Sequence, residues 1–101
     1  MDEARTWFVL LHRRGSAVPA DQSVFDHPGI GQHFEFLERR AAAGQLIAAG
    51  PTPDEPGTGM TVLDVESLAE AERLAREDDQ AVATGVLDVT VRPWQIVMTS
   101  V

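Results

Sequence analysis

The segment Thr6-Trp7-Phe8-Val9-Leu10-Leu11-His12 is apolar at both parities, and this constrains the fold more than any other stretch of the chain. A strand with one face in water alternates, whereas a strand hidden on both faces does not, so this one belongs at the centre of a sheet. Arg13-Arg14-Gly15-Ser16 and then Pro19-Ala20-Asp21 supply turn residues, so the chain leaves the sheet through a loop of roughly a dozen residues.

Helical periodicity follows. Ile30, Phe34, Leu37 and Ala41 fall on one stripe, with His33 at its border, while Glu35, Glu38, Arg39 and Gln45 fall elsewhere. Asp26 and Pro28 form an N-terminal signal and Gly44 is placed to close the helix in a left-handed conformation, so the expected helix spans about Pro28 to Ala43. Arg39 and Arg40 are expected on its solvent side, paired with Glu35, Glu38 or neighbours along the helix. Leu46-Ile47-Ala48-Ala49 is a short strand ended by Gly50-Pro51, and Met60-Thr61-Val62-Leu63-Asp64-Val65 is a third. Ser67-Leu68-Ala69-Glu70 has the form of a capping box, opening a helix that buries Leu68, Ala71 and Ala75 and ends near Glu77 to Asp79.

The last extended segment, residues 86 to 98, carries a fault in its alternation. Leu87, Val89 and Val91 are apolar at odd positions, but Trp94, Ile96 and Met98 are apolar at even ones. Proline cannot donate to a ladder, so a bulge or an edge position near Pro93 is expected. The order strand, helix, strand, strand, helix, strand predicts an α+β fold: a ferredoxin-like βαββαβ unit with a four-stranded antiparallel sheet and both helices on one face. The other face, with Trp7, Val9, Leu11 and the surroundings of Trp94, then needs cover, and a homodimer through this open sheet face is the economical expectation.

Composition sets outer limits. A length of 101 residues fits a single domain, here taken as residues 1–101, and 44% hydrophobic with 24% charged residues is ordinary for a globular chain. Sixteen acidic residues against eight arginines give a net charge of -8, which repels phosphate backbones and anionic membranes, so neither nucleic acid nor membrane is an expected partner. There is no cysteine, hence no disulfide or thiolate metal site. Met1-Asp2-Glu3-Ala4-Arg5 lacks the features of a signal peptide and no apolar run is long enough to cross a bilayer, so the expected location is cytoplasmic.

His33 is the leading candidate for chemistry, with Asp79 as its partner. An imidazole exchanges protons near neutral pH, and a carboxylate on its other nitrogen fixes the tautomer and stabilises the imidazolium. Such a pair suits proton abstraction next to a carbonyl, enol tautomerisation or elimination. His12, at the end of the first strand, either points into the same cavity or is a satisfied sheet-end histidine, and His27 before Pro28 has a local role. No two histidines have helical i, i+4 spacing, and no nucleotide loop or nucleophile arrangement occurs, so neither metal nor cofactor is expected.

His33, Gly44-Gln45-Leu46, Gly50-Pro51, Asp79, Gly85 and Pro93-Trp94 occur in an order and spacing that resembles the YCII-related (YciI-like) family, over about residues 6 to 94. The resemblance implies a dimeric α+β barrel, related in fold to muconolactone isomerase, with a His-Asp pair as the acid/base centre of a small pocket. It implies catalytic roles for His33 and Asp79 and a small-molecule ligand held near Gly50, Pro51, Trp94 and His12. One branch of that family removes chloride from a chlorinated hydroxyquinol. The chain departs from the pattern at Gln80, where the family usually has proline after the aspartate, which leaves Asp78 as an alternative carboxylate. The leading expectation is a small cofactor-free lyase or isomerase acting on an enolisable metabolite. The alternatives are a non-catalytic dimeric ligand-binding or accessory module and, by analogy of fold alone, a cofactor-independent oxygenase.

Overall fold

β1 (Arg5–Arg14) takes the central position that its doubly apolar sequence demands. In the computed structural model, which describes residues 5–101, it pairs antiparallel with β3 (Gly59–Leu63) on one side and β4 (Leu87–Ile96) on the other. β2 (Leu46–Pro51) adds to the far edge of β3, giving the order β2-β3-β1-β4, which is that of a ferredoxin-like antiparallel sheet. The start of the chain, on which the expectation about a signal peptide rests, lies outside the described residues except for Arg5.

Register decides which side chains share a face. Leu10 lies opposite Thr61 and Val91, so these three point to one side, whereas Trp7 opposite Trp94 points to the other. On the first side Leu10, Leu63 and Val89 pack with Phe36, Leu74 and Ala75 from the helices into one apolar cluster. Both helical segments therefore cover the same face. A second cluster of Val18, Val24, Ala81, Val86 and Leu87 fastens the loop after β1 over the end of the sheet. Gly15 and Gly85 meet there so closely that a Cβ on Gly15 would lie 2.0 Å from the Gly85 carbonyl oxygen.

α1 (Gly31–Ala42) follows a separate turn of 3-10 helix at Pro28–Ile30, and Gly44 closes it at φ 74° as its sequence position predicts. The face it buries differs from the expected stripe. Phe36 is fully buried and Phe34 is about half exposed, so the inward line is Ile30, His33, Phe36, Leu37 and Arg40. His33 thus lies within the buried face, not at its border. Phe34 and Phe36 are equally apolar and stand about 200° apart round the helix, so the rotation of α1 about its own axis against the sheet chooses between them.

The second helix breaks where one continuous helix was expected. α2 (Leu68–Arg73) widens into a π-helical turn at Leu74–Asp78, in which the Asp79 amide donates to the Leu74 carbonyl at 3.2 Å. α3 (Gln80–Ala83) then begins afresh. The capping box is half formed: Ser67 Oγ accepts from the Glu70 amide at 3.1 Å, but the Glu70 carboxylate pairs with Arg73 at 2.6 Å instead of reaching back.

No bulge occurs at Pro93. The β1–β4 register runs unbroken from Arg5 opposite Ile96 to Arg14 opposite Leu87, and the position that tolerates proline is the edge strand itself. The change of parity marks which face has something to cover. Up to Val91 the odd residues meet the helices, and beyond it Trp94 joins Trp7 on the open side. The irregularity in the sheet falls in β2 instead, between Leu46 and Ala48.

Candidate functional site

The π-helical turn places Asp79. By adding a residue to the turn it swings the chain so that Asp79 leaves the helix in an extended conformation (φ -82°, ψ 101°) and serves as N-cap of α3. Its side chain is fully buried. Oδ1 accepts the Ala81 amide at 3.0 Å, and Oδ2 lies 2.6 Å from His33 Nδ1. A carboxylate that would be misplaced at a helix C-terminus is well placed at a helix start, where free amides point at it.

Gln80 occupies the first position of α3, where the amide has no intrahelical partner. Proline is favoured there because it lacks that amide, but any residue with ordinary helical φ fits. Gln80 instead anchors the turn by donating its Nε2 to the Glu77 carbonyl at 2.9 Å. Asp78 diverges from its neighbour. Its carbonyl accepts from Arg39 at 2.7 Å, and its carboxylate lies 3.3 Å from Arg39 and 3.4 Å from Arg40. This corrects the expected pairing of those arginines with Glu35 and Glu38: the π-helical turn brings a better-placed acid to the end of α1. The pair therefore ties α1 to the second helical segment and leaves His33 to Asp79.

Because Asp79 holds Nδ1, Nε2 is the nitrogen of His33 left for a ligand. His33 lines a cavity of about 70 Å³ between α1, the end of β1 and the β2–β3 connection. His12, Gly50 and Pro51 line it as well, together with the apolar residues Val24, Phe25, Phe34, Leu37 and Leu87. Trp94 does not. Its parity puts it on the opposite face of the sheet, where its ring meets Trp7 edge-on at 6.1 Å, so within one chain it is apart from this cavity. His27 has the local role read for it, accepting the Gly29 amide through Nδ1 at 2.9 Å.

His12 is built into the wall. Its ring centroid lies 4.7 Å from that of His33 at an interplanar angle of 68°, and its Nε2 is 3.1 Å from Thr61 Oγ1. Nδ1 is buried with no partner among the described residues. Two tautomers fit the Thr61 contact. If the hydroxyl donates to Nε2, only the Nδ1–H is left over, whereas the reverse leaves both a hydroxyl proton and a nitrogen lone pair unpaired. Each buried unpaired group costs about 1–3 kcal/mol, so the count favours a proton on Nδ1. Thr61 gave no functional signal in the sequence beyond being a polar residue at a helix-facing position beside apolar Val62 and Leu63.

Burial, with the neighbouring His33 as a smaller cause, holds the His12 pKa down to about 3. The unfolded chain protonates this residue near pH 6.5, and the folded protein resists until about pH 3. Its contribution to stability is therefore whole above pH 6.5 and is lost as pH falls towards 3. At pH 4 the loss from this group alone is on the order of 3 kcal/mol. Urea midpoints at pH 7 and pH 4 should thus differ less in His12→Phe than in the parent protein, because other acid-sensitive groups remain in both.

His12, His33 and Asp79 also present potential metal-ligand atoms within 4.8 Å of one another. As arranged, both Asp79 oxygens are engaged and the cluster offers two uncommitted nitrogens, one short of the three protein ligands usual at a catalytic zinc.

Fold and site together define a small α+β protein whose buried His-Asp pair opens on an apolar cavity. A family model for the YCII-related domain matches residues 7–95, and the chain belongs to that family. It is similar to the uncharacterized protein YjpA of Bacillus subtilis (strain 168), at 33% identity over 72 residues, which is 71% of this chain and 82% of that protein. No helix among the described residues is long and apolar enough to cross a membrane.

Proposed function

We propose that this protein is a small cofactor-free lyase or isomerase that moves a proton on an enolisable metabolite, with His33 as general acid/base and Asp79 as its orienting carboxylate. The observation that carries the reading is the 2.6 Å contact between His33 Nδ1 and a fully buried Asp79, at a cavity that Nε2 of the same ring is free to serve. The carboxylate directs the Nδ1 proton to itself and leaves Nε2 as the base, and it stabilises the imidazolium that forms. Gly50 and Pro51 wall the cavity beside the histidine and contact the substrate.

The test is proton exchange in heavy water. Purified protein incubated with small uncharged ketones and lactones should catalyse deuterium uptake next to the carbonyl, read by proton NMR. Uptake no faster than in buffer, or uptake that survives loss of His33, would overturn the reading and favour a non-catalytic binding module.

The reading includes a second copy of the chain against the open sheet face. Trp94 is half exposed there beside the buried Trp7, with Met60 also exposed, and among the described residues no helix covers this apolar surface. Sedimentation at micromolar concentration should give a dimer, and Trp94→Arg should shift it to monomer. A monomeric parent protein would remove this part of the proposal.

A further inference from the structure

We propose that His12 is a second catalytic group of this cavity, whose Nδ1–H binds the oxygen of an uncharged carbonyl substrate and holds the negative charge that develops there while His33 removes a proton from the adjacent carbon. The proposal rests on the acid/base reading of His33 and Asp79.

Three features of His12 lead to it. First, its Nδ1 is an unpartnered polar atom on a side chain that is 95% buried, taken from its 5% exposure, and such atoms are rare unless a ligand or water completes them. Second, the ring is fixed: the fully buried Thr61 hydroxyl holds Nε2 at 3.1 Å and favours the tautomer that carries its proton on Nδ1. Third, it lines the same cavity as the base, β1 beside α1, with the two rings edge to face and their centroids 4.7 Å apart.

The two histidines are also made chemically unlike by their surroundings. His33 has the Asp79 carboxylate on Nδ1, which orients the ring and leaves Nε2 as the base. His12 has no carboxylate and is kept neutral by burial, so its N–H serves as a hydrogen-bond donor and does not compete for the proton. A neutral imidazole in the electrophile's place beside a separate base is an established division of labour.

The substrate class follows from the rest of the wall. No arginine lines the cavity, and the protein carries a net charge of -8, so nothing there would hold a carboxylate or a phosphate. Val24, Phe25, Phe34 and Leu37 offer apolar contact instead. The fitting ligand is a small neutral ketone or lactone. In the step itself His33 Nε2 takes the proton, the C–H pair becomes a C=C bond, and the carbonyl π pair moves to the oxygen held by His12. Return of the proton to another carbon of the conjugated system gives the isomer and restores both histidines without any co-reactant.

The experiment has two arms, using the full chain. In the first, nitrogen NMR of labelled protein should show His12 protonated on Nδ1 and bare on Nε2 across neutral pH. In the second, α-angelica lactone, a β,γ-unsaturated five-membered lactone, is the probe for isomerisation and deuterium uptake. His12→Phe should lower kcat by about 10²- to 10³-fold with a much smaller change in KM, the signature of a group that acts on developing charge. His12→Asn, whose amide nitrogen falls near the Nδ1 position, should recover part of the loss. An Nε2–H tautomer overturns the proposal even if His12→Phe fails to fold. Full activity in His12→Phe beside an inactive His33→Asn overturns it while leaving the acid/base reading intact. No activity in the parent protein removes the acid/base reading, and the proposal with it. Activity abolished by a chelator and restored by zinc, with both His12 nitrogens bare of protons, would reassign His12 to a cation.

Discussion

Replacing His33 by asparagine should leave the protein folded and lower proton exchange by about 10²- to 10⁴-fold, the range that a positioned acid/base group supplies. Asparagine is the informative substitution because its amide nitrogen can reach Asp79 Oδ2 in place of Nδ1, which lies 2.6 Å away. His33→Ala is a different experiment. It strands a carboxylate with no solvent exposure, and breaking such a pair costs on the order of 3–5 kcal/mol. In a chain of this size that lowers Tm by more than about 10 °C. Thermal melts of the two variants beside their exchange rates would separate catalysis from folding: equal exchange in His33→Asn and parent protein would remove His33 from the chemistry.

Asp79 offers the complementary contrast. Asp79→Ala deletes both the acceptor for the Ala81 amide and the partner of His33, so its expected cost is roughly 2–4 kcal/mol. Asp79→Asn retains one acceptor oxygen. If that oxygen stays on the Ala81 amide, the amide nitrogen faces His33 Nδ1 and donates to it, which forces the proton onto Nε2. The ring is then in the wrong tautomer to act as a base. Stability should change by less than about 1 kcal/mol, while the rate falls roughly 10³- to 10⁴-fold, the scale seen when a catalytic histidine loses its orienting carboxylate. Urea melts and exchange assays on both variants check this, and an Asn variant that keeps its activity would reduce Asp79 to a helix cap.

Much of the fold was legible because hydrophobic pattern is local. The doubly apolar β1, the short β2 before Gly50-Pro51 and the glycine closing α1 all appear where their residues predict. The misplacements share one cause. The choice of Phe36 over Phe34 for the core depends on how α1 is rotated about its own axis against the sheet. The break after Arg73 is a π-helical turn, which leaves no periodic mark in Leu-Ala-Arg-Glu-Asp. The partners of Arg39 and Arg40 depend on that turn as well, since without it Asp78 would not reach the end of α1.

The site divides along the same line. His33 and Asp79 stand out as residues, and Gly50 and Pro51 as neighbours of a pocket; the shift in parity puts Trp94 on the open face with Trp7, and from there it lines no part of this cavity within one chain. Thr61 and the character of His12 were out of reach, since a buried unpaired nitrogen is a relation among β1, β3 and α1 and belongs to no one segment.

By itself, then, the sequence determined the order of elements, the central place of β1, the family and the pairing of His33 with a carboxylate after the second helix, all of which follow from residue type and spacing along the chain. Only the tertiary structure decided that Asp79 and not Asp78 meets His33, that Gln80 is harmless at a helix start, and that a second, neutral histidine shares the cavity. Those outcomes hang on where separate segments cross, and the burial that keeps His12 neutral exists only once they have.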